Sequence, residues 1–315
     1  MKGLTDIAGI KVGHASDFEA LTGCTVVLCE GGAAAGYDIR GGATGTEEMD
    51  VMSPWHITEK IHAVCLAGGS AFGLEAASGV RRHLEHKGIG FPTPAAVVPI
   101  VPAAILYDLG IGKAGVRPTR EMGEAAAAAA TAEAVKEGCV GAGTGATCGK
   151  LLGMSHAMKS GIGSFTVEAA GAQVSALVAV NALGDVLDPE TGKILAGARK
   201  TAEGREFANS AQLMKRGSAR GPLQRENTTL AVVATDARLT KVQATKLAQL
   251  AQHGLVRAIA PVHTMSDGDL VIALSAGTKS APVDALGVAA AEAVTQAIVR
   301  AVRLARTLGG VPGLA

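Results

Sequence analysis

The stretch Asn227-Thr228-Thr229-Leu230-Ala231-Val232-Val233-Ala234-Thr235-Asp236 decides the reading of this chain. Its apolar, β-branched run at 230–234 predicts a buried strand. Before it, residues 200–226 form a polar, basic segment carrying Lys200, Arg205, Lys215, Arg216, Arg220 and Arg225, loosened by Gly217, Gly221 and Pro222. A cut between Asn227 and Thr228 would leave Thr228 with a hydroxyl and a free α-amine at the strand's end. That is the pairing of a threonine nucleophile whose own amine is the base.

Working outward, the pattern alternates strands with helices. Residues 270–274 read as a second strand, and Thr240 with Gln243 spells a capping box for the helix between the two. That helix carries Ala244, Leu247, Ala248 and Ala251 on one face and is expected to stop at Gly254. Asp284 is expected to cap a long last helix on which Val294, Ile298 and Val302 recur every four residues. Upstream, 25–28 and 63–66 read as short strands ending in glycine turns, and 165–180 as a hairpin around Gly171. A helix is expected over 72–86 with Ser70 as its N-cap, and another over 121–136, with six consecutive alanines, ended by Gly138. No internal repeat or low-complexity linker divides the chain. The mixture predicts one layered α/β domain over residues 1–315.

Composition narrows the function. The 315 residues are 48% hydrophobic and 18% charged, enough for a large core, with a net charge of +1. Such a balance has no general pull on nucleic acid or anionic membrane, and aromatics at 3% are too sparse for base stacking. Cys24, Cys29, Cys65, Cys139 and Cys148 are odd in number and lack C-x-x-C spacing, so buried free thiols are expected. Cys24 and Cys29, five apart in a strand, should face opposite sides. No signal-like run follows Met1 and no uninterrupted apolar stretch reaches transmembrane length, so a cytoplasmic home is expected.

Some motifs fail on context. Gly141-Ala142-Gly143-Thr144-Gly145-Ala146 has the dinucleotide spacing, but a helix precedes it where a strand is required. Gly149-Lys150 resembles a P-loop end, yet Thr144 stands where its first glycine should be, and Leu151 where magnesium needs a hydroxyl. In Gly68-Gly69-Ser70-Ala71-Phe72 the last residue of a nucleophile elbow should be glycine. His83 and His86 make no metal box, and no cofactor motif stands out.

What remains is a scattered set. Asp267 and Asp269 flank Gly268 just before the 270–274 strand; Lys159 sits between an apolar strand and glycines; Asn181 ends the apolar run 176–180. Taken singly, these are a solvated turn, a surface lysine and a turn amide, and His263 is a structural histidine. Taken together, they supply carboxylates to orient an amine, a lysine to bias its charge and an amide to donate to an oxyanion.

The text at 227–236, with Pro261-Val262-His263-Thr264 and Asp267-Gly268-Asp269, resembles the peptidase family of L-aminopeptidase/D-esterase, β-aminopeptidase and nylon-oligomer hydrolase. Ala67-Gly68-Gly69-Ser70-Ala71-Phe72-Gly73-Leu74, Val98-Pro99-Ile100-Val101-Pro102 and the 141–146 glycine run extend the match over nearly the whole chain. The resemblance implies a four-layer αββα sandwich like that of N-terminal-nucleophile hydrolases, self-cut into 1–227 and 228–315. It implies Thr228 as nucleophile, Asn181 as oxyanion donor, Lys159, Asp267 and Asp269 as a charge network, and Tyr107 as an active-site hydroxyl. The implied partners are a small peptide or amino-acid amide and further copies of the processed chain, with no cofactor, nucleic acid or membrane. Several aminopeptidases of that family cut before a serine that follows glycine; here threonine follows asparagine, as in the nylon-oligomer branch. Two other readings compete: an acyltransferase of ornithine-acetyltransferase type, and a non-catalytic binding protein that is never cut.

Overall fold

The computed structural model describes residues 1–217 and 227–315. Within the basic segment read from the sequence, Arg220, Gly221, Pro222 and Arg225 therefore lie outside the described residues. In chain order the elements that matter are β1 (Lys11–Asp17), β2 (Thr22–Ile39), β3 (Gly45–Glu47), β4 (Ile61–Ala67), α1 (Glu75–His86), β5 (Ala103–Ile105) and α2 (Arg120–Ala128). Then come β6 (Thr147–Cys148), β7 (Met158–Lys159), β8 (Ile162–Ala169), β9 (Ala172–Asn181), α3 (Ser210–Lys215), β10 (Thr228–Ala237), α4 (Lys241–Ala258), β11 (Leu270–Lys279) and α5 (Val283–Arg303).

The main sheet runs β8-β9-β10-β11-β2-β4-β5-β3, with β1 also on β2. The long strand β2 makes this one ladder into two sheets. Its first half pairs with β1 and β4, its register breaks between Leu28 and Ala33, and its second half pairs with β11. Gly32, at φ +76°, lies in that break, where only glycine takes the backbone without strain.

Three apolar layers show how the two sheets pack. Leu230, Val232, Leu270 and Ile272 of one sheet meet Val27, Val64 and Leu66 of the other. The alternate residues Ala231, Val233, Val271 and Ala273 turn outward onto Leu247, Leu255, Val294 and Ile298 of α4 and α5. On the far side, Cys24, Val26, Ala63 and Cys65 pack on Val80, Leu84 and Ala126 of α1 and α2. The order is helix, sheet, sheet, helix: the αββα sandwich expected. A strand covered on both faces has no polar side, which is why 230–234 reads as unbroken apolar text. Each such Leu or Val contributes about 1.5–3 kcal/mol of burial. All five cysteines are free and buried, with Cys24 and Cys29 in different apolar layers.

Several local expectations are corrected. Ser70 caps nothing: the stretch opens as a 3-10 turn with Ser70 at φ +55°, and α1 follows only from Glu75. The alanine-rich helix ends at Ala128, because Thr131 leaves it to exchange backbone hydrogen bonds of 3.0 and 3.1 Å with Val12 of β1. The capping box of Thr240 and Gln243 is present, but α4 runs through Gly254 to Ala258. A Cβ on Gly254 would lie 2.5 Å from the Ala291 carbonyl oxygen, so this glycine lets α4 and α5 approach closely and stops nothing. Pro282 holds the cap position of α5, and Asp284 sits in the first turn, where its charge faces the positive end of the helix dipole. Strand β2 runs through its glycines to Ile39. Helix α5 is also long and apolar enough to cross a membrane by length and composition, but it is mostly buried within the sandwich.

Candidate active site

Three neighbouring strands end together. Asn181, the last residue of β9, stands opposite Thr228, the first of β10, and Leu230 is in register with Leu270 of β11. Just outside the sheet, Asn227 bridges to Asp267. Strand alternation then sorts the two threonines. Thr228 shares the inter-sheet face of Leu230 and Val232; Thr229 turns with Ala231 and Val233 toward the helices. The buried Thr229 hydroxyl has no hydrogen-bond partner among the described residues.

Thr228 Oγ1 donates to the carbonyl oxygen of Asn227 at 2.5 Å, and the Gly268 N–H donates to the same oxygen at 2.7 Å. The carbonyl of the 227–228 bond is thus polarised by a backbone amide with a hydroxyl at its side. A Cβ on Gly268 would stand 2.6 Å from Thr228 Oγ1, so a side chain there would displace the hydroxyl.

The two aspartates are 1% exposed and brace the adjoining backbone. Asp269 Oδ1 accepts the Thr229 N–H at 2.7 Å, while Oδ2 accepts the His263 N–H at 3.0 Å and lies 3.1 Å from His263 Nδ1. Asp267 Oδ2 accepts from Thr264 Oγ1 at 2.5 Å and from the Thr264 N–H at 3.2 Å; its Oδ1 accepts the Leu183 N–H at 3.2 Å. Burial, with the charge of Asp269 adding to it, pushes the Asp267 carboxyl up to about 6.

Across β10 the chemistry is the reverse. Asn181 Oδ1 accepts the Thr147 N–H at 3.1 Å and the Lys150 ammonium at 2.8 Å, and Lys150 also reaches the Asn181 carbonyl at 2.9 Å. Asn181 Nδ2 donates to the Tyr107 carbonyl at 2.8 Å. These partners fix which end of the amide faces which way. Tyr107 thus holds Asn181 through its backbone, and it lines a narrow crevice with Thr147, Lys150 and Met154.

Lys159 is fully buried and donates to the carbonyls of Gly143, Ala146 and Ser160 at 3.1, 2.6 and 2.7 Å. Burial lowers its ammonium to about 8. Among the described residues it pairs with neither Asp267 nor Asp269, so the expected lysine–carboxylate contact is absent. The lysine that touches Asn181 is Lys150, which the sequence offered only as a failed P-loop residue.

Asp108 was also missed. Its oxygens accept the Gly69 N–H and Thr22 Oγ1, both at 2.7 Å, and burial raises it to about 6. A Cβ on Gly68 would strike Asp108 Oδ2 at 2.0 Å. The false nucleophile elbow is therefore a cradle for a carboxylate. No group of three or more His, Cys, Asp or Glu side chains among the described residues gathers as a metal site.

The αββα sandwich thus brings a threonine, an amide and two carboxylates together at one end of its sheet. A β-aminopeptidase from Burkholderia sp. has the same fold, with a TM-score of 0.71 and 25% identity, over 100% of this chain and 91% of that one. The L-aminopeptidase D-Ala-esterase/amidase of Ochrobactrum anthropi, described as a new variant among the Ntn hydrolase folds, matches with a TM-score of 0.71 at 19% identity, over 99% and 88%. The sequence profile of peptidase family S58 matches residues 2–315, and the chain belongs to that family. An uncharacterized aminopeptidase of Mycobacterium leprae is 39% identical over 99% of this chain and 93% of its own length. A 6-aminohexanoate-oligomer endohydrolase of Kocuria sp. is 29% identical over 95% and 85%. The reaction class is hydrolysis of peptide or amide bonds.

Proposed function

We propose that this protein cuts itself before Thr228 and then hydrolyses amide bonds of small peptides, amino-acid amides or amino-acid oligomers through an acyl-enzyme on that residue. The observation that carries the reading is the Thr228 hydroxyl held 2.5 Å from the Asn227 carbonyl oxygen, with the Gly268 N–H on the same atom. Thr228 Oγ1 attacks the Asn227 carbonyl carbon and the Gly268 N–H holds the oxyanion. The C–N bond breaks as the nitrogen takes the proton, leaving an ester that water hydrolyses to chains 1–227 and 228–315.

The freed α-amine has an ordinary pKa of about 7.7–8.0, suited to take the hydroxyl proton near neutral pH. Asp269, through the Thr229 N–H, fixes the backbone beside that amine. Asn181, oriented by Lys150, Thr147 and Tyr107, donates to the oxyanion formed on the substrate. Lys159 braces the 143–146 turn with two hydrogen bonds and ties it to Ser160 with a third. The relatives, an aminopeptidase and a 6-aminohexanoate-oligomer endohydrolase, fit this substrate range.

Intact-mass measurement of the purified protein tests the reading directly. The expected result is two chains meeting at 227/228, and a single inactive chain for Thr228→Ala. A wild-type protein that hydrolyses amides while remaining one chain overturns it.

A further inference from the structure

His263 lies outside the reacting atoms, yet its geometry ties it to them. It stands at φ +57°, a left-handed conformation that is unusual for a residue with a side chain. That twist brings two of its groups to one acceptor: the backbone N–H at 3.0 Å and Nδ1 at 3.1 Å from Asp269 Oδ2. The other oxygen of the same carboxylate holds the Thr229 N–H at 2.7 Å. The histidine side chain is 16% exposed and the aspartate 1%, so little water competes for these bonds.

Three links therefore run in series: imidazole to Asp269, Asp269 to the Thr229 amide, and Thr229 to the residue carrying the hydroxyl. Two backbone N–H groups hold one oxygen of this carboxylate each, and the imidazole adds a second contact on Oδ2. A charged acceptor that loses one of its hydrogen bonds is held more loosely by those that remain. Against a carboxylate acceptor the contacting nitrogen of the ring must carry its proton as Nδ1–H; the ring's other nitrogen is Nε2. That Nε2 is buried without a hydrogen-bond partner among the described residues, so the polar work of the ring falls on Nδ1.

We propose that His263 is a positioning residue: its Nδ1–H tightens the hold on the Asp269 carboxylate, and through it the Thr229 backbone, so that Thr228 keeps its hydroxyl and freed amine aligned. The inference rests on the reading of Thr228 as nucleophile and adds a residue to it.

The test compares two variants with the wild-type protein, all purified as full chains. His263→Gly keeps the backbone N–H and accepts the left-handed conformation while deleting the imidazole. His263→Asn restores a side-chain donor where Nδ1 stood, and asparagine tolerates that backbone. Chain cutting is followed by intact mass, and kcat and KM on an amino-acid p-nitroanilide by absorbance. His263→Gly is expected to cut more slowly and to lose kcat by about tenfold to a hundredfold, with KM within about twofold. His263→Asn is expected to recover most of both rates. Wild-type rates in His263→Gly overturn the proposal, as does an asparagine variant no better than glycine while both keep the wild-type Tm. An uncut but active wild-type protein would instead overturn the reading of Thr228, so the two failures are separable.

Discussion

The two flanks of β10 at the site end carry opposite chemistry. On the β9 side, a neutral amide is held by an ammonium, a backbone N–H and a carbonyl. On the β11 side, two buried carboxylates are held by backbone N–H groups, a hydroxyl and an imidazole. The difference teaches a division of labour. Negative charge growing on a carbonyl oxygen is best met by the donor-rich flank, while an amine that gains and loses a proton is best held from the carboxylate flank. The Asn227 carbonyl, however, is gripped by Gly268 of the acidic flank. Under the proposed function, self-cutting and turnover should therefore lean on different flanks.

The sharpest way to break that contrast is Asn181→Ala. Losing one oxyanion donor typically costs about 3–4 kcal/mol, so kcat should fall by roughly a hundredfold to a thousandfold. Intact mass should still show two chains, because the Gly268 N–H remains. A variant that turns over at wild-type rate removes Asn181 from the chemistry, and one that stays uncut merges the two flanks. Gly268→Ala asks the converse question. Its new methyl would meet Thr228 Oγ1 at 2.6 Å and push the hydroxyl off the carbonyl. Cutting should slow by about tenfold to a hundredfold, read as the half-life of the uncut chain.

The smallest effect concerns pH. Asp267, ordinarily 3.8, is raised to about 6, so between about pH 4 and 6 the folded protein binds a proton that the unfolded chain does not. Folding stability from this group rises as pH falls through that window, because protonation relieves the cost of a buried charge. Asp108 adds a like contribution over a similar range. Asp267→Asn should flatten, without abolishing, the dependence of Tm on pH between about 4 and 6. An unchanged slope would mean that Asp267 stays charged when folded.

Legibility varied with how local the cause was. Strand β10, the hairpin of β8 and β9 and the capping box of Thr240 follow from neighbours in the chain, and all were readable. The early end of α2 was not, since its reason is Val12, more than a hundred residues away. Gly254 looked like a stop because glycine often ends helices, but here it answers to α5. The same limit governs the site. Thr228, Asn181 and the Asp267-Gly268-Asp269 turn each sit at the end of a recognisable strand, but Asn181 and the turn read as bland when taken singly, and the family resemblance is what drew the set together as candidates. Lys150 and Asp108 could not, for their partners are a side chain and a glycine turn supplied by remote segments.

From the chain's own order came the buried strand, the polar text before it and a hydroxyl residue at their junction, because hydrophobic periodicity is a local property. Tertiary structure alone decided that Thr228 rather than Thr229 faces the inter-sheet layer, that Gly268 holds the Asn227 carbonyl, and that Lys150 stands beside Asn181. Those outcomes depend on which strand ends meet and in what register, and register is set by packing between elements far apart in the chain.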